Sequence, residues 1–460
     1  MVSVGRHPNI ELLTYSEVES VSGFVGNFEV KVRKKARYVN EELCTGCGTC
    51  VEKCPWKKIP SKFDLGLGER PAIYFHFAQT VPRIPVIDTQ HCAYFQRGKC
   101  RACEKFCTKN AIDFEQQDEI LELEVGTIVL ATGFKDFDPS SSPQYGYGSL
   151  DNVLTGLEFE RLVNSGGPTT GKVRLKDGRT PQRVAIIHCV GSRGDQHEYC
   201  SRVCCMYSLK LAHLARDVFD ADVVEFYRDM RTFGKAYESF YQRVQREDVH
   251  FVRFDHQNGT GIPPVEVSQW GDQLKVSSID LYTGELAEEI VDMVILSTGM
   301  EPQTDARQVA KTFGISLSPS GFFLEKHPKL APVETATGGV FLAGTCQSPK
   351  DIPDSVAQGS AAAAAALSLM DAGRVTLEPF TAYIDSELCS GCLTCVNMCP
   401  YSAIHAIQLN GHVISEVNEV LCKGCGTCVA ACPSGIAQQR GFEHQQIMSE
   451  IEGILAFATY

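Results

Sequence analysis

The spacing of the cysteines constrains this chain more than any other feature. There are 21 cysteines in 460 residues, and an odd number cannot close into a complete set of disulfides. Three groups share the spacing C-x2-C-x2-C-x3-C followed by proline, over 44–54, 389–399 and 422–432. The first residues contain no apolar signal segment. We therefore expect a reducing, cytoplasmic setting in which the thiols bind metal.

The repeated spacing resembles that of bacterial ferredoxins, whose thiolates hold 4Fe-4S clusters. A fourth group is irregular, because an insert separates Cys92 from Cys100 and Thr108 stands where proline is usual. In two-cluster ferredoxins the fourth cysteine of each run binds the neighbouring cluster. This crossing predicts four ligand sets: Cys44, Cys47, Cys50 with Cys107; Cys92, Cys100, Cys103 with Cys54; Cys389, Cys392, Cys395 with Cys432; and Cys422, Cys425, Cys428 with Cys399. Zinc is the alternative, but its sites usually pair two distant C-x2-C units.

A fifth candidate site has a less specific spacing, C-x10-C-x3-C-C. Its members are Cys189, Cys200, Cys204 and Cys205. Apolar residues recur at helical spacing over 201–217, so we expect Cys200 at the start of a helix. Free N–H groups and the positive end of the helix dipole favour an anionic thiolate there. The alternative is that these cysteines are small buried apolar residues.

Composition excludes several classes of function. Lys and Arg total 43 against 56 Asp and Glu, which gives a net charge of −13. An acidic chain is a poor candidate for binding nucleic acid. The Ala-rich run over 360–370 is too short to cross a bilayer, so we expect no transmembrane segment.

Between the cysteine groups the pattern is that of an α/β protein. Short apolar runs over 125–133 and 291–299 end in Thr-Gly, and 338–345 precedes an Ala-rich helix. Strands are also expected at 9–13 and 23–32. The order of these segments resembles the two-dinucleotide-domain flavoproteins of the thioredoxin reductase and glutamate synthase small-subunit type. Their G-x-G-x-x-G fingerprint for FAD is absent from this sequence.

The combination resembles the A subunit of heterodisulfide reductase. The similarity includes the Cys-Ser-Arg-Val-Cys-Cys-Met-Tyr segment at 200–207 and the segment 341–355. It begins after the family's N-terminal cluster domain and first FAD-binding βαβ unit, so the chain resembles the C-terminal portion of that subunit, as expected for a split or truncated protein. The resemblance implies a thioredoxin-reductase-like α/β scaffold with an inserted and a C-terminal two-cluster ferredoxin domain. The expected domains are 1–37, 116–150 and 300–378 (partial FAD domain), 38–115 (inserted ferredoxin), 151–299 (second dinucleotide-like domain with a cluster) and 379–460 (C-terminal ferredoxin).

The resemblance also implies cofactors and site residues. It implies FAD, five 4Fe-4S clusters and flavin-based electron bifurcation or transfer, with the fifth cluster nearest the flavin. Lys210 would be an active residue close to the flavin ring. The expected flavin contacts are Ala131, Thr132, Gly133, Thr298, Gly299, Gly344, Thr345, Gln347, Lys350 and Ile352. Thr345 stands where the two-dinucleotide-domain flavoproteins usually have Asp, and Cys346 is either a small buried residue or a flavin neighbour.

The implied partners are other subunits of a heterodisulfide-reductase-like complex, including a chain that supplies the missing FAD-binding unit, and a ferredoxin or similar electron carrier. One alternative is a flavin-free polyferredoxin, a relay module on a vestigial flavoprotein scaffold. An NAD(P)H-linked enzyme is disfavoured, because 188–192 carries His-Cys-Val-Gly-Ser where a phosphate-binding loop would stand.

Overall fold

The structure is a computed structural model that describes residues 2–194, 197–255, 265–376 and 379–458. Its helices are α1 Val2–Gly5, α2 Thr49–Lys53, α3 Ala93–Arg97, α4 Ala102–Lys105, α5 Gly156–Val163, α6 Cys204–Phe219, α7 Tyr237–Gln245, α8 Ala306–Phe313, α9 Ile352–Ala372, α10 Thr394–Met398, α11 Thr427–Ala431 and α12 His444–Ala458. Within these described ranges no helix is both long and apolar enough to span a membrane.

The strands form several separate sheets. They are β1 Ser16–Phe24, β2 Asn27–Lys34, β3 Ile59–Pro60, β4 Glu69–Arg70, β5 Ile73–Tyr74, β6 Val86–Ile87, β7 Glu119–Val125, β8 Ile128–Leu130, β9 Lys135–Asp136, β10 Val153–Thr155, β11 Arg183–Val190, β12 Asp222–Tyr227, β13 His250–Arg253, β14 Glu266–Trp270, β15 Gln273–Ile279, β16 Leu286–Val291, β17 Met293–Thr298, β18 Met300–Glu301, β19 Val340–Leu342, β20 Ala382–Ile384, β21 Ile404–Leu409, β22 His412–Val417 and β23 Ala437–Gln439.

The largest sheet is parallel, with the strand order β10-β17-β11-β12-β13. Every residue of β17 is buried, and β11 is buried along nearly its whole length. Such continuous apolar runs suit parallel strands that are covered on both faces. One face packs on α5, α6 and α7 through Phe159, Leu209 and Val244. This sheet confirms the predicted α/β class.

A three-stranded antiparallel sheet, β14-β15-β16, covers the other face. Residues of β15 alternate between buried and partly exposed, as expected for a sheet with one solvated side. Phe137 and Tyr145, which precede β10, pack into the same core. The second dinucleotide-like region therefore draws part of its core from residues before 151.

The remaining flavoprotein-like part contains an antiparallel sheet, β1-β2-β7, and a parallel pair, β8 and β19. Residues 9–13 form no strand, so that expectation was wrong. The expected strand over 23–32 is divided in two, because β1 ends at Phe24, β2 begins at Asn27, and the two form a hairpin that turns at Val25 and Gly26. Gly26 has φ +87°, which favours glycine in a tight turn.

Two small regions contain most of the cysteines. In the inserted region, α2 and α4 pack together beside the strand pairs β3-β4 and β5-β6. The C-terminal region pairs α10 with α11 beside β20-β23 and β21-β22. Cysteines form a large share of the buried residues in both cores.

Candidate metal centres and cofactor pocket

A cavity in the inserted region is lined by thiols from two separate segments. They are Cys44, Cys47, Cys50 and Cys107. The turn before α2 brings the first three together, because Gly48 adopts φ 82°, a left-handed value that favours glycine. The N–H of Gly46 donates to Cys44 Sγ at 3.4 Å. The N–H of Ala111 donates to Cys107 Sγ at 3.3 Å. Four thiols around one cavity, two of them accepting backbone N–H groups, suit a cubane.

The other four cysteines of the inserted region also lie close together. They are Cys54, Cys92, Cys100 and Cys103. Burial raises the pKa of Cys92, and the thiols of Cys54 and Cys100 raise it further. Burial raises the pKa of Cys103 to about 12, and the thiols of Cys92 and Cys54 add to the effect. Neighbouring thiols that oppose each other's ionisation become stable thiolates when a metal binds.

The C-terminal region repeats the crossed arrangement. A cavity there is lined by Cys399, Cys422, Cys425 and Cys428. The N–H of Ala403 donates to Cys399 Sγ at 3.3 Å. The same bond, with the same four-residue separation, joins Ala111 to Cys107 in the inserted region. The two ferredoxin-type regions therefore build this part of the site in the same way.

The second C-terminal set is Cys389, Cys392, Cys395 and Cys432. Cys392 precedes α10, and hydrogen bonds from the hydroxyl and N–H of Thr394 lower its pKa. The nearby Cys432 thiol opposes this effect, which links the run at 389–399 to the later one. Burial opposes ionisation of Cys432, but the N–H of Ala437 and the hydroxyl of Ser434 lower its pKa to about 7. Cys395 lies in α10 and is buried, and Cys389 lies on the loop before that helix.

The less regular group meets at one end of the parallel sheet. Cys189 lies near the end of β11 with φ +61°, a conformation that is uncommon for a residue with a side chain. Cys204 and Cys205 are the first two residues of α6, whereas Cys200 lies on the loop before it. The expectation that Cys200 begins the helix was wrong, because the helix starts four residues later. Burial and the other three thiols hold the pKa of Cys204 well above its usual value.

A buried histidine lies beside this group. His188 Nε2 is 2.8 Å from Glu225 Oε2, and both side chains are fully buried. Burial alone would lower the pKa of His188, but interactions with Cys205 and Glu225 raise it to about 9. Burial opposes ionisation of Cys205, and the imidazole lowers its pKa. The sequence gives no signal for Glu225, because its contact depends on the register of β11 with β12.

Across the residues that the structure describes, no three His, Cys, Asp or Glu side chains are grouped tightly enough to share a single metal ion. A cubane requires a different arrangement, since each of its thiolates binds a different iron. The donors at all five sites are thiols, which are the ligands that iron–sulfur clusters require. The residues present therefore fit 4Fe-4S clusters.

The carboxyl ends of β8 and β19 lie side by side, and this edge of a parallel sheet is where ligands bind in α/β proteins. Ala131, Thr132 and Gly133 follow β8, and Gly344 begins the turn after β19. Cys346 Sγ is 3.3 Å from the carbonyl oxygen of Leu130, which joins the two turns. Two of the predicted flavin-contacting segments therefore lie together.

Lys350 is buried in the second of these turns, with 7% of its surface exposed. Its Nζ donates to the carbonyl oxygen of Gly344 at 3.1 Å and to Gln347 Oε1 at 2.7 Å. It also donates to the carbonyl and hydroxyl oxygens of Ser348. Burial lowers the pKa of this lysine. Its hydrogen-bond partners are neutral oxygens, so its charge could interact with an anionic ligand in the adjacent cleft.

Thr345 lies in the same turn and is partly buried, whereas Ile352 begins α9 and is 79% exposed. Two of the predicted site residues lie instead around a separate cavity of about 240 Å³. It is lined by Thr298 and Lys210, and none of the residues 344–352 lines it. Lys210 Nζ pairs with Glu160 at 2.9 Å, and the lysine side chain is 53% exposed.

Thr298 and Gly299 contact the cysteine-bearing segment. The hydroxyl of Tyr207 donates to the carbonyl oxygen of Thr298 at 2.7 Å. A Cβ atom on Gly299 would lie 2.8 Å from Ser201 Oγ, so only glycine fits there. This turn supports the loop that holds Cys200 and the start of α6, where Cys204 lies.

Comparison with known protein families identifies two segments of this chain. Residues 382–437 match the model of the 4Fe-4S dicluster domain, and residues 37–57 match the 4Fe-4S binding domain. These matches cover the C-terminal cysteine groups and the first group of the inserted region.

Curated relatives match almost the whole chain. The iron-sulfur A subunit of CoB–CoM heterodisulfide reductase from Methanocaldococcus jannaschii is 48% identical over 99% of this chain and 68% of the relative. One of two such A subunits of Methanopyrus kandleri is 50% identical over 98% of this chain and 68% of its own length. Among solved structures, Lactococcus lactis thioredoxin reductase has a TM-score of 0.36 at 16% identity, with 56% of this chain and 72% of that chain covered. The relatives confirm the resemblance seen in the sequence: the chain belongs to the A-subunit family of heterodisulfide reductase, iron–sulfur flavoproteins that serve as electron-transfer subunits of an oxidoreductase.

Proposed function

We propose that this chain transfers electrons between FAD and five 4Fe-4S clusters inside a cytoplasmic heterodisulfide-reductase-like complex. The observation that carries the proposal is the four-thiol group on β11 and α6. It occupies the end of the parallel sheet where a dinucleotide-binding domain would have its phosphate loop. A nucleotide is disfavoured there, because the ring of Phe137 fills the space beside Gly191, where a Cβ atom would lie 2.1 Å from it.

The twenty thiols of the five sets would hold the clusters. The buried His188 imidazole lowers the pKa of Cys205, and the N–H of Arg202 donates to Cys200 Sγ at 3.3 Å. Hydrogen bonds to sulfur and burial are the means by which a protein sets a cluster's potential. Cluster potentials can therefore differ along the chain, as directional electron transfer requires.

FAD, when bound, supplies the exchange between electron pairs and single electrons that bifurcation needs. Lys350 would bind and orient the flavin through Nζ, which its buried position holds at the edge of β8 and β19. Gly344, Thr345 and Gln347 would contact the ring from the same turn. Lys210 remains a predicted flavin neighbour, and its ion pair with Glu160 makes it the weaker of the two candidates.

A partner chain or segment with a βαβ nucleotide-binding unit would complete the flavin site. Within the described residues β8 pairs only with β19, and Val129 in the middle of β8 is 43% exposed. Helix α9 also presents an apolar surface to solvent, including Val356 at 63% and Leu367 at 62% exposure. Exposed apolar surface of this kind is typical of a protein–protein contact.

The first test is to count iron and flavin in protein purified without oxygen, alone and with its partner subunits. We expect about 20 iron atoms per chain, and FAD only when the partner is present. About 16 iron atoms and no flavin in any preparation would instead favour a polyferredoxin relay.

A pair of cysteine variants sharpens this test. Cys205→Ser should lower the iron content by about 4 atoms, because a cubane needs its full ligand set. Cys346→Ser is the matched control, since Cys346 is buried but belongs to none of the five sets. Equal iron loss in the two variants would contradict the assignment of Cys205.

A further inference from the structure

The arginine inside the fifth cysteine group connects two parts of the site that are far apart in the sequence. Arg202 lies between Cys200 and Cys204, and its N–H donates to Cys200 Sγ at 3.3 Å. Its guanidinium pairs with Asp354 Oδ2 at 2.8 Å. Asp354 lies in the first turn of α9, the helix that follows the turn with Lys350. One residue therefore contacts both a predicted cluster ligand and the helix beside the predicted flavin turn.

The backbone of Arg202 is held in an uncommon conformation. Its φ is 62°, a left-handed value that costs free energy for a residue with a side chain. Such a conformation persists only where the surrounding structure fixes the residue. Besides its contacts with Cys200 and Asp354, the guanidinium carbon lies over the Phe233 ring, 5.0 Å from its centre. Three contacts therefore determine where this positive charge lies.

A second contact joins the same two parts of the molecule. Tyr237 is the first residue of α7, and its hydroxyl donates to Asp351 Oδ2 at 2.9 Å. The other carboxylate oxygen of Asp351 accepts the N–H of Asp354 and so caps α9. The two carboxylates at the start of α9 therefore fix this helix against the second dinucleotide-like region, which carries the fifth cysteine group.

The charges of this ion pair act on the predicted flavin turn. The side chains of Arg202 and Asp354 are 39% and 46% exposed, and pairs as exposed as this contribute little to stability. Burial lowers the pKa of Lys350 most, and the Cys346 thiol opposes that effect. Arg202 lowers the same pKa further, whereas Asp354 raises it. The two partners thus have opposite electrostatic effects on the turn.

We propose that Arg202 is a positioning residue that couples the fifth cluster to the flavin. It holds the Cys200 loop against α9, and it places one positive charge that favours reduction at both centres. Reduction adds an electron to either centre, so a nearby positive charge raises both reduction potentials and the carboxylate of Asp354 lowers both. The inference rests on the proposed function, because it needs a cluster on the four-thiol group and FAD beside Lys350.

The test uses the complex of this chain with its partner subunits, purified without oxygen and loaded with iron and flavin. Redox titrations monitored by EPR and by absorbance measure the reduction potentials of the fifth cluster and of the flavin. The EPR signal of the fifth cluster is the one missing from Cys205→Ser. R202Q removes the positive charge, R202K keeps it, and D354N removes the negative charge.

R179Q and D272N are the matched controls. Arg179 pairs with Asp272 at 3.0 Å, and their side chains are 51% and 79% exposed. Arg179 lies before the first residue of β11, whereas Cys189 lies near the other end of that strand. These substitutions therefore remove the same charges from an exposed ion pair outside the site, and both potentials should stay unchanged.

We expect R202Q to lower the equilibrium constant for reducing the fifth cluster about threefold, which is about 28 mV at 59 mV per tenfold change for one electron. The flavin potential should fall in the same variant. D354N should raise both potentials, and R202K should restore both toward those of the unmodified complex. The shifts should shrink as salt increases, because the ion pair is partly exposed.

Shifts of the same sign in R202Q and D354N would overturn the proposal, because a structural disturbance does not depend on which charge is removed. Unchanged potentials, or a shift at the cluster without one at the flavin, would overturn it as well. D354N decides the matter where R202Q fails to assemble its cluster, since Asp354 lies on α9, outside the cysteine-bearing segments. Iron and flavin analysis of the unmodified complex comes first, since a missing cluster or flavin contradicts the proposed function instead.

Discussion

At the scale of single residues, His188 is the side chain best placed to tune the fifth thiol group. Its imidazole is fully buried between Glu225 and Cys205. A polar or positively charged group beside a thiolate stabilises negative charge on it, and a reduced cluster carries one more negative charge than an oxidised one. His188 should therefore raise the reduction potential of the cluster held by Cys205.

Replacing the pair by H188L/E225L should lower that potential by on the order of 60 mV, which corresponds to about 1.4 kcal/mol for one electron. Both partners are changed because a lone buried carboxylate would destabilise the fold. An EPR-monitored redox titration measures the shift. The control is H213L/E247L, which removes another His–Glu pair with a distance of 2.8 Å. Its histidine lies on α6, the helix that also carries Cys205. An unchanged potential in the first variant would show that His188 only fills space.

At the scale of elements, helix α9 has an exposed apolar surface along its length. Ile352, Val356, Leu367 and Met370 are all more than half exposed. Asp351 caps the helix by accepting the N–H of Asp354 at 2.9 Å, and Arg202 pairs with Asp354 at 2.8 Å. The helix is thus held at its amino end while this surface is available to the proposed FAD-binding partner unit.

V356E/L367E should abolish FAD retention in the complex and leave the iron content unchanged, because charges on this surface oppose apolar packing. Flavin and iron analysis of the purified complex measures both. L286E/L330E is the control, since these leucines are 57% and 84% exposed but lie in other segments. Full flavin content in V356E/L367E would show that the partner unit contacts another surface.

The helices, strands and loops also show which features could be predicted from the sequence and which could not. Cysteine spacing reflects local turns, so the runs at 44–54 and 422–432 could be assigned as cluster-binding segments from the amino-acid sequence alone. The hairpin over 16–34 was misread because one Gly turn divides an apolar run into two strands. The insert at 93–99 gives no periodic signal, and the sequence does not show that Arg97 lies against the distant Trp56 ring. Contacts between segments follow from packing, which a single sequence does not specify.

At the scale of the whole molecule, the core is unevenly distributed. The parallel sheet has two apolar layers with large side chains, among them Phe159, Phe226 and Ile295. Among the described residues of the C-terminal region, eight apolar side chains are buried, and three of them are Cys395, Cys422 and Cys428. A core of that size contributes little hydrophobic free energy, so metal binding must supply the stability of this region.

Removing the clusters should therefore unfold only the two cysteine-rich regions of the protein. Iron extraction with an oxidant and chelator should unfold 379–460 and 38–115, while the region around the parallel sheet stays folded. Hydrogen exchange measured by mass spectrometry separates these regions: backbone amides of β21 and β22 should exchange fully, and those of β11 and β17 should remain protected. C422S/C428S offers a matched test without chelator, because it should expose the C-terminal region and spare the inserted one. Protected β21 amides after complete iron removal would contradict this division, since the small core would then be stable without its metal.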